Sequence, residues 1–417
     1  MSSPPAPLGR RPDFLKLWLG QTVSEFGSRI TRDGLPILAV SALAATPQQM
    51  GLLSAAASLP VLILSLFAGV WVDRLRRRPL LIAADLGRAA VLMLIPIAAL
   101  SGHLTFGLAL AVIMAANALS LFFNISYNAM LPWLVERERL LEANSKLATT
   151  DALAEVGGPA IAGLLIQAIG APLAIAVDAA SFVFSAVTLA AIRKPEPRPE
   201  RHPSPSVRRE MREGVAVILA DPLLRALTAS IALRAFFGSM IGALYALFTL
   251  RELGLTPGAL GIVIATGGIG SLIGAALAHR LTRRYGLKRT LAGSLLLSSC
   301  TGLLLPLAEV VPGTAILTLI AGQIIGDAGM AIFLIGETSL RQITVPNALL
   351  GRANALTGFL AEGVAPLGAL IGGAIAGAAT PRLGLAVAVG GILATAIGLV
   401  WALSRQSARA NTTALEG

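Results

Sequence analysis

Apolar residues recur along the whole chain in runs of about 20, the length at which a helix crosses a bilayer, separated by charged clusters or Pro/Gly breaks. This pattern predicts spans near Phe14 to Ala45, Pro47 to Val72, Pro79 to Leu100, Leu104 to Leu134, Ala143 to Ile169 and Pro172 to Ile192. Six more follow, near Leu223 to Leu250, Pro257 to His279, Thr290 to Ala308, Thr314 to Leu340, Ala353 to Ala376 and Leu383 to Leu403. Between the two sets lies "RKPEPRPERHPSPSVRREMREG", Arg193 to Gly214, whose prolines and charges forbid a packed core. The expectation is an all-α integral membrane protein with 12 transmembrane helices. Its parts would be a six-helix bundle over residues 1–192, a linker over 193–222, a second bundle over 223–404 and a tail over 405–417.

Composition agrees: 55% of the 417 residues are hydrophobic and only 13% charged, with a mean hydropathy of +0.77, where a soluble protein averages about a quarter charged. With Lys16 and Lys146, at the edges of their spans, counted with the adjoining terminus and loop, 26 of the 33 Lys and Arg fall in the termini and alternate loops; the opposite loops hold Arg251 and Arg382, and five lie within spans. The bias predicts both termini and the central loop on the cytoplasmic side of a plasma membrane. Because the net charge of +11 is spread over short loops rather than gathered on one face, it points to anionic lipid head groups and not to nucleic acid.

Other classes are excluded by what the chain lacks. Cys300 is alone in an apolar run, and His103, His202 and His279 are isolated, so neither a disulfide framework nor a metal cluster is expected. No G-x-x-x-x-G-K phosphate loop supports ATP hydrolysis, and no nucleophile with a base suggests an enzyme. The segment "SALAA" resembles a signal-peptidase site, but charges interrupt the apolar run before it. No cofactor is expected.

Those charges pose the sharpest question. "SEFGSRITRDG" puts Glu25, Arg29, Arg32 and Asp33 inside the first span. Were the span to stop at Gly34, "LPILAVSALAA" would be an apolar orphan too short to cross, so a single helix with a kink at Pro36 is expected. Four uncompensated charges near mid-membrane cost on the order of 10 to 14 kcal/mol, against about 0.3 to 0.6 kcal/mol returned by each leucine or valine. Lipid exposure is therefore ruled out. At about 100° per residue Gln21, Glu25, Arg29 and Arg32 share one stripe with Asp33 at its edge, and Glu25–Arg29 and Arg29–Asp33 are spaced for ion pairs. The stripe must face the bundle interior or a watered cavity. Two roles fit: a permanent network that fixes helix packing, or a site where one acid, Glu25 first and Asp33 second, exchanges a proton for an arginine.

Other embedded polar residues are cavity candidates: Asn124, Tyr127 and Asn128 on the fourth span, Glu155 on the fifth, Arg234 on the seventh, Asp327 on the tenth and Glu362 on the eleventh. Asp178 reads as structural. Phe236, Phe237, Tyr245 and Phe248 could contact an apolar substrate or lipid. The halves also look related. "LPWLVERERLLEANSKL" matches "RQITVPNALLGRANALTGFL" at Val135/Val345, Leu140/Leu350, Ala143/Ala353 and Asn144/Asn354, and Glu155 and Pro159 find partners in Glu362 and Pro366. Parallel six-span repeats are a transporter architecture with a mid-membrane cavity.

"GVWVDRLRRRPLLI" resembles the loop motif of the major facilitator superfamily, with Gly69, Asp73, Arg74, Arg77 and Arg78 matching and Arg76 where glycine is usual. "GGPAIAGLL" is similar to the fifth-span motif of proton-coupled antiporters at Gly158, Pro159 and Gly163, with Ala162 departing. "LWLGQTVSEFGSRIT", "FFNISYNAMLPWLV" and "ANSKL" resemble the branch of macrolide efflux proteins and the enterobactin exporter. The resemblance implies two pseudo-symmetric six-helix bundles and a monomeric secondary transporter. It further implies a small-molecule substrate, export driven by the proton gradient, and a conformational-switch loop around Asp73 that continues to Asp85 and Arg88. A siderophore or lysophospholipid carrier is the alternative within the class, and a membrane sensor or scaffold the alternative outside it.

Overall fold

The computed structural model describes residue 8 and residues 11–72, 75–196, 207–308 and 312–415. The described chain is helical throughout. In the first half α1 covers Pro12–Ser41, α2 Pro47–Val72, α3 Arg77–Leu100, α4 Phe106–Leu134, α5 Leu140–Ile169 and α6 Ala171–Ala190. Then come α7 (Val207–Ala220), α8 (Pro222–Leu247, continued by a π-helical turn to Glu252), α9 (Pro257–Tyr285), α10 (Leu287–Thr301), α11 (Ala315–Thr344), α12 (Asn347–Ala378) and α13 (Pro381–Leu415). Proline opens α1, α2, α8, α9 and α13, where its missing N–H costs nothing.

Among the described residues ten helices are long and apolar enough to cross a membrane, making this a multi-pass membrane protein. The long helix α1 with its charges, the fifteen-residue α10, which runs into a 3-10 turn at Gly302–Leu304, and the short α7 fall outside that set. The helix α1 is continuous through Pro36, as the orphan argument required.

Two compact units divide the chain. The first comprises Met1–Ala45, Ala56–Ser204 and Thr256–Ile262; the second comprises Thr46–Ala55, Pro205–Leu255 and Val263–Gly417. Unit 1 has a core built around Phe14, Leu17, Leu81, Phe123 and Met130. Within it, α1 lies close against α6 because glycines recur every seven residues on one face: a Cβ on Gly20 would stand 2.1 Å from Thr188 Oγ1, and one on Gly27 2.2 Å from Ser181 Oγ. The core of unit 2 centres on Leu227, Leu291, Leu295, Phe333 and Leu399.

Two segments differ from the sequence expectation. The linker holds the helix α7, whose Val217 packs with Leu224, Val345, Ala353 and Leu350, and whose Glu213 pairs with Arg352. The prolines that argue against order precede Val207; after it an apolar face recurs at helical spacing. The expected tail continues α13 as helix to Leu415.

Candidate functional site

The charged residues of α1 meet a partner from α5. Arg29, only 9% exposed, donates from Nη2 to Glu25 Oε1 at 2.9 Å and from Nε to the same oxygen at 3.2 Å. Its Nη1 donates to Glu155, 126 residues away in sequence. Arg32 stands 3.7 Å from Glu155 Oε1 and 3.8 Å from Asp33 Oδ1. Of the two pairs expected along α1, Glu25–Arg29 forms; Arg29 turns to Glu155 in place of Asp33. One carboxylate oxygen of Asp33, Oδ2, is buried without a hydrogen-bond partner among the described residues. At the end of the stripe Gln21 reaches Ser185 Oγ at 3.4 Å.

Small residues of α5 make this possible. A Cβ on Gly158 would stand 2.6 Å from Arg29 Cγ, so the arginine's stem crosses α5 at that glycine. Pro159 and Gly163 serve another crossing in unit 1. A Cβ on Gly163 would lie 2.4 Å from Pro257 O of α9, and a Cβ on Gly261 would lie 2.3 Å from Pro159 O. Unit 2 repeats the device between α2 and α12, where Gly51 would strike Ala369 O at 2.5 Å and Gly373 would strike Pro47 O at 2.7 Å. The signal was present in the sequence: "TPQQMG" opens α2 and "TPGALG" opens α9, with Thr46 and Thr256 each accepting a backbone N–H three residues on.

Asp85 and Arg88, expected to continue the switch loop's network on the next span, sit in the interior of unit 1. Asp85 is fully buried and paired with Arg88, whose guanidinium lies 4.2 Å from the Phe123 ring centre and 4.0 Å from that of Phe182. Asp178, 1% exposed, accepts hydrogen bonds from Thr31 of α1 and from Ser181 at 3.1 Å. The loop arginines face other work: Arg77 donates to Ala129 O at 3.0 Å, and Arg78 to Leu189 O at 3.0 Å, satisfying a carbonyl at the end of α6. Both backbone N–H groups at the start of α3 donate to Glu196. Gly69 lies within α2, while Asp73 and Arg74 fall outside the described residues.

Near the ends of α1 and α4 two acids tie the chain down. Burial alone would raise the Asp13 carboxyl, but hydrogen bonds from Lys16 and from the backbone N–H of Arg193 and Lys194 hold it below the usual carboxylate range. The Arg11 hydrogen bond likewise holds Glu136 low.

The remaining candidates scatter. Asn124 and Asn128 are exposed on α4, and Tyr127 stacks on Phe123 with ring centres 6.0 Å apart. Glu362 is exposed on α12, and Arg234 and Asp327 line a cavity inside unit 2 with Tyr245. Phe248 is fully buried, with the Arg382 guanidinium 5.7 Å from its ring centre. Among the described residues no three His, Cys, Asp or Glu side chains form a group that could hold a metal ion.

An ionic cluster inside a multi-helix membrane bundle marks a functional site, and the comparisons give the family. The family described as transmembrane secretion effector matches residues 2–415, and the chain belongs to it and hence to the major facilitator superfamily. It is 26% identical to macrolide efflux protein A of Streptococcus pyogenes over 364 residues, 86% of this chain and 88% of that one. It is 28% identical to the multidrug efflux pump Tap of Mycolicibacterium fortuitum over 338 residues, 78% and 80% of the two chains. Its fold matches that of a bacterial homologue of the iron transporter ferroportin in an inward-facing state. The TM-score is 0.77 at 21% identity, over 94% of this chain and 98% of that one. The protein is a membrane transporter and not an enzyme.

Proposed function

We propose that this transporter uses twelve spans in two six-helix bundles to export amphipathic, macrolide-like molecules across the plasma membrane in exchange for protons, with its basic end cytoplasmic. The export direction and substrate class are supported by the efflux relatives at 26% and 28% identity.

Proton coupling is supported by one observation, the charge balance around Arg29. Glu25, Asp33 and Glu155 supply three carboxylates against the guanidiniums of Arg29 and Arg32. Asp151, a turn before Glu155 on α5 and close enough to interact with Glu25, adds a fourth acid. Among the described residues these ion pairs leave more carboxylates than guanidiniums, even though the charge of Arg88 also reaches Glu25, and a proton on one acid would reduce that excess. Glu25 and Glu155 compete for one arginine. Protonating either frees part of Arg29 and shifts the relative stability of two conformations, which is how a proton gradient drives alternating access.

The test is accumulation of radiolabelled erythromycin in cells stripped of their own efflux pumps. Expression of the protein should lower accumulation, a protonophore should restore it, and Glu155→Gln should behave as the protonophore does. Equal accumulation with and without the protein refutes macrolide export.

A further inference from the structure

Unit 2 contains a partly open cavity of about 180 Å³ lined by α8, α10 with the turn that follows it, α11 and α13. Its walls are largely apolar, from Ile241, Leu305, Leu319, Val389 and Ile392. Gly326 lets α11 approach α10 along this wall, since a Cβ there would stand 3.0 Å from Thr301 Oγ1. Space of this size admits a ring-sized fragment or several ordered waters.

Two hydrogen-bond donors in its lining are unspent. Arg234 Nη1 and the Tyr245 hydroxyl are both buried and have no hydrogen-bond partner among the described residues. The other terminal nitrogen of Arg234 donates to Met330 Sδ, a weak acceptor, at 3.4 Å, while its guanidinium lies 5.9 Å from the Phe333 ring centre. A buried donor left unpaired is costly enough that each one calls for a reason. Arginine can only donate, so the missing partner is an acceptor. Asp327 lines the same cavity, its Oδ2 lying where a Cβ on Gly267 of α9 would stand 2.1 Å away. A carboxylate side chain in the lining disfavours a second anionic group beside it, so the acceptor that fits is an uncharged one.

We propose that this cavity is a binding subsite for an uncharged carbonyl oxygen, such as that of a lactone or ketone, carried on a ring-sized apolar fragment, with Arg234 and Tyr245 as its donors. All of the lining belongs to unit 2, and the subsite shares no residue with the charged cluster of unit 1. It rests on the export reading only in that the ligand is a transported molecule; binding to the purified protein tests the cavity by itself.

The experiment is equilibrium dialysis of the full chain in maltoside detergent against coumarin, an aromatic lactone of fitting size. Naphthalene serves as the analogue without oxygen and coumarin-3-carboxylate as the anion. Coumarin should bind more tightly than either. Its Kd should rise about fivefold in Tyr245→Phe and about tenfold in Arg234→Gln, with naphthalene unaffected. The thermal midpoint of ligand-free Tyr245→Phe should stay level or rise, since an unpaired hydroxyl has been removed; a purely structural hydroxyl would lower it. Coumarin binding that ignores both substitutions, or fails to exceed naphthalene in the unaltered protein, overturns the subsite and leaves the donors to water. Tighter binding of the carboxylate overturns the assignment of an uncharged ligand. Each result stands whether or not proton-driven efflux is observed.

Discussion

The aliphatic stem of Arg29 lies directly over Gly158, where an added Cβ would stand 2.6 Å from Arg29 Cγ and 2.8 Å from its Cβ. Neither atom is the free end of the side chain, so a methyl group there displaces the arginine from Glu25 and Glu155. Gly158→Ala is expected to destabilise the protein by about 1–3 kcal/mol, as overpacking does. It should also lower transport more than Gly293→Ala, a helical glycine whose added Cβ meets nothing within 4 Å. Thermal midpoints and transport by the two variants decide the matter.

The α5–α9 crossing has no room for side chains. Gly261→Val should reduce stability and transport together, because its Cβ would fall 2.3 Å from Pro159 O and 2.9 Å from Gly163 Cα. Gly51→Val should do the same at the α2–α12 crossing, where the contacts are 2.5 Å to Ala369 O and 3.1 Å to Gly373 Cα. Normal folding and transport in either variant would show that the close approach is not required.

Arg88 compensates buried carboxylates at Asp85 and, more distantly, Asp178. Arg88→Met should cost about 3–5 kcal/mol by leaving a buried charge unpaired, and Asp85→Asn less. Arg88→Lys should recover only part of the loss, since a lysine does not reproduce the flat stack between Phe123 and Phe182. Thermal unfolding of the three variants in detergent reads the order.

The Asp13 tie to Arg193 and Lys194 should be acid-sensitive. Its carboxyl is held low in the folded chain, so its contribution is complete above the unfolded value of about 3.9 and is lost as pH falls through the lower folded value. Asp13→Asn should therefore lower stability at about pH 6 by about 0.2–1 kcal/mol, that of one exposed ion pair, and the difference should shrink as pH falls below about 3.9.

Much of this was legible in the sequence, for reasons that also explain what was not. Apolar runs of bilayer length located the long helices because lipid forces every backbone group into internal hydrogen bonds. The charges at Glu25, Arg29 and Arg32 could be assigned away from lipid by cost alone. Their partner could not: Glu155 lies 126 residues from Arg29, and no local period links them. The helix α7 went unread because prolines and charges precede a short apolar face at helical spacing. The paired "TPQQMG" and "TPGALG" were visible, but what they do appears only when Gly51 and Gly261 are seen against the backbones of α12 and α5. Asp178 was read as structural, and the hydrogen bond from Thr31 shows what it ties, α6 to α1.

The central claim is that a proton moves through the carboxylates around Arg29 as substrate is exported. The most direct measurement is proton release from acidified inside-out vesicles, followed with a pH-sensitive dye as erythromycin is added, in the unaltered protein and in Glu25→Gln and Glu155→Gln. Collapse of the gradient on adding substrate, lost in at least one of the two variants, is the predicted result. Erythromycin transport without proton release, or collapse that survives both substitutions, would contradict it and reduce the cluster to a packing network.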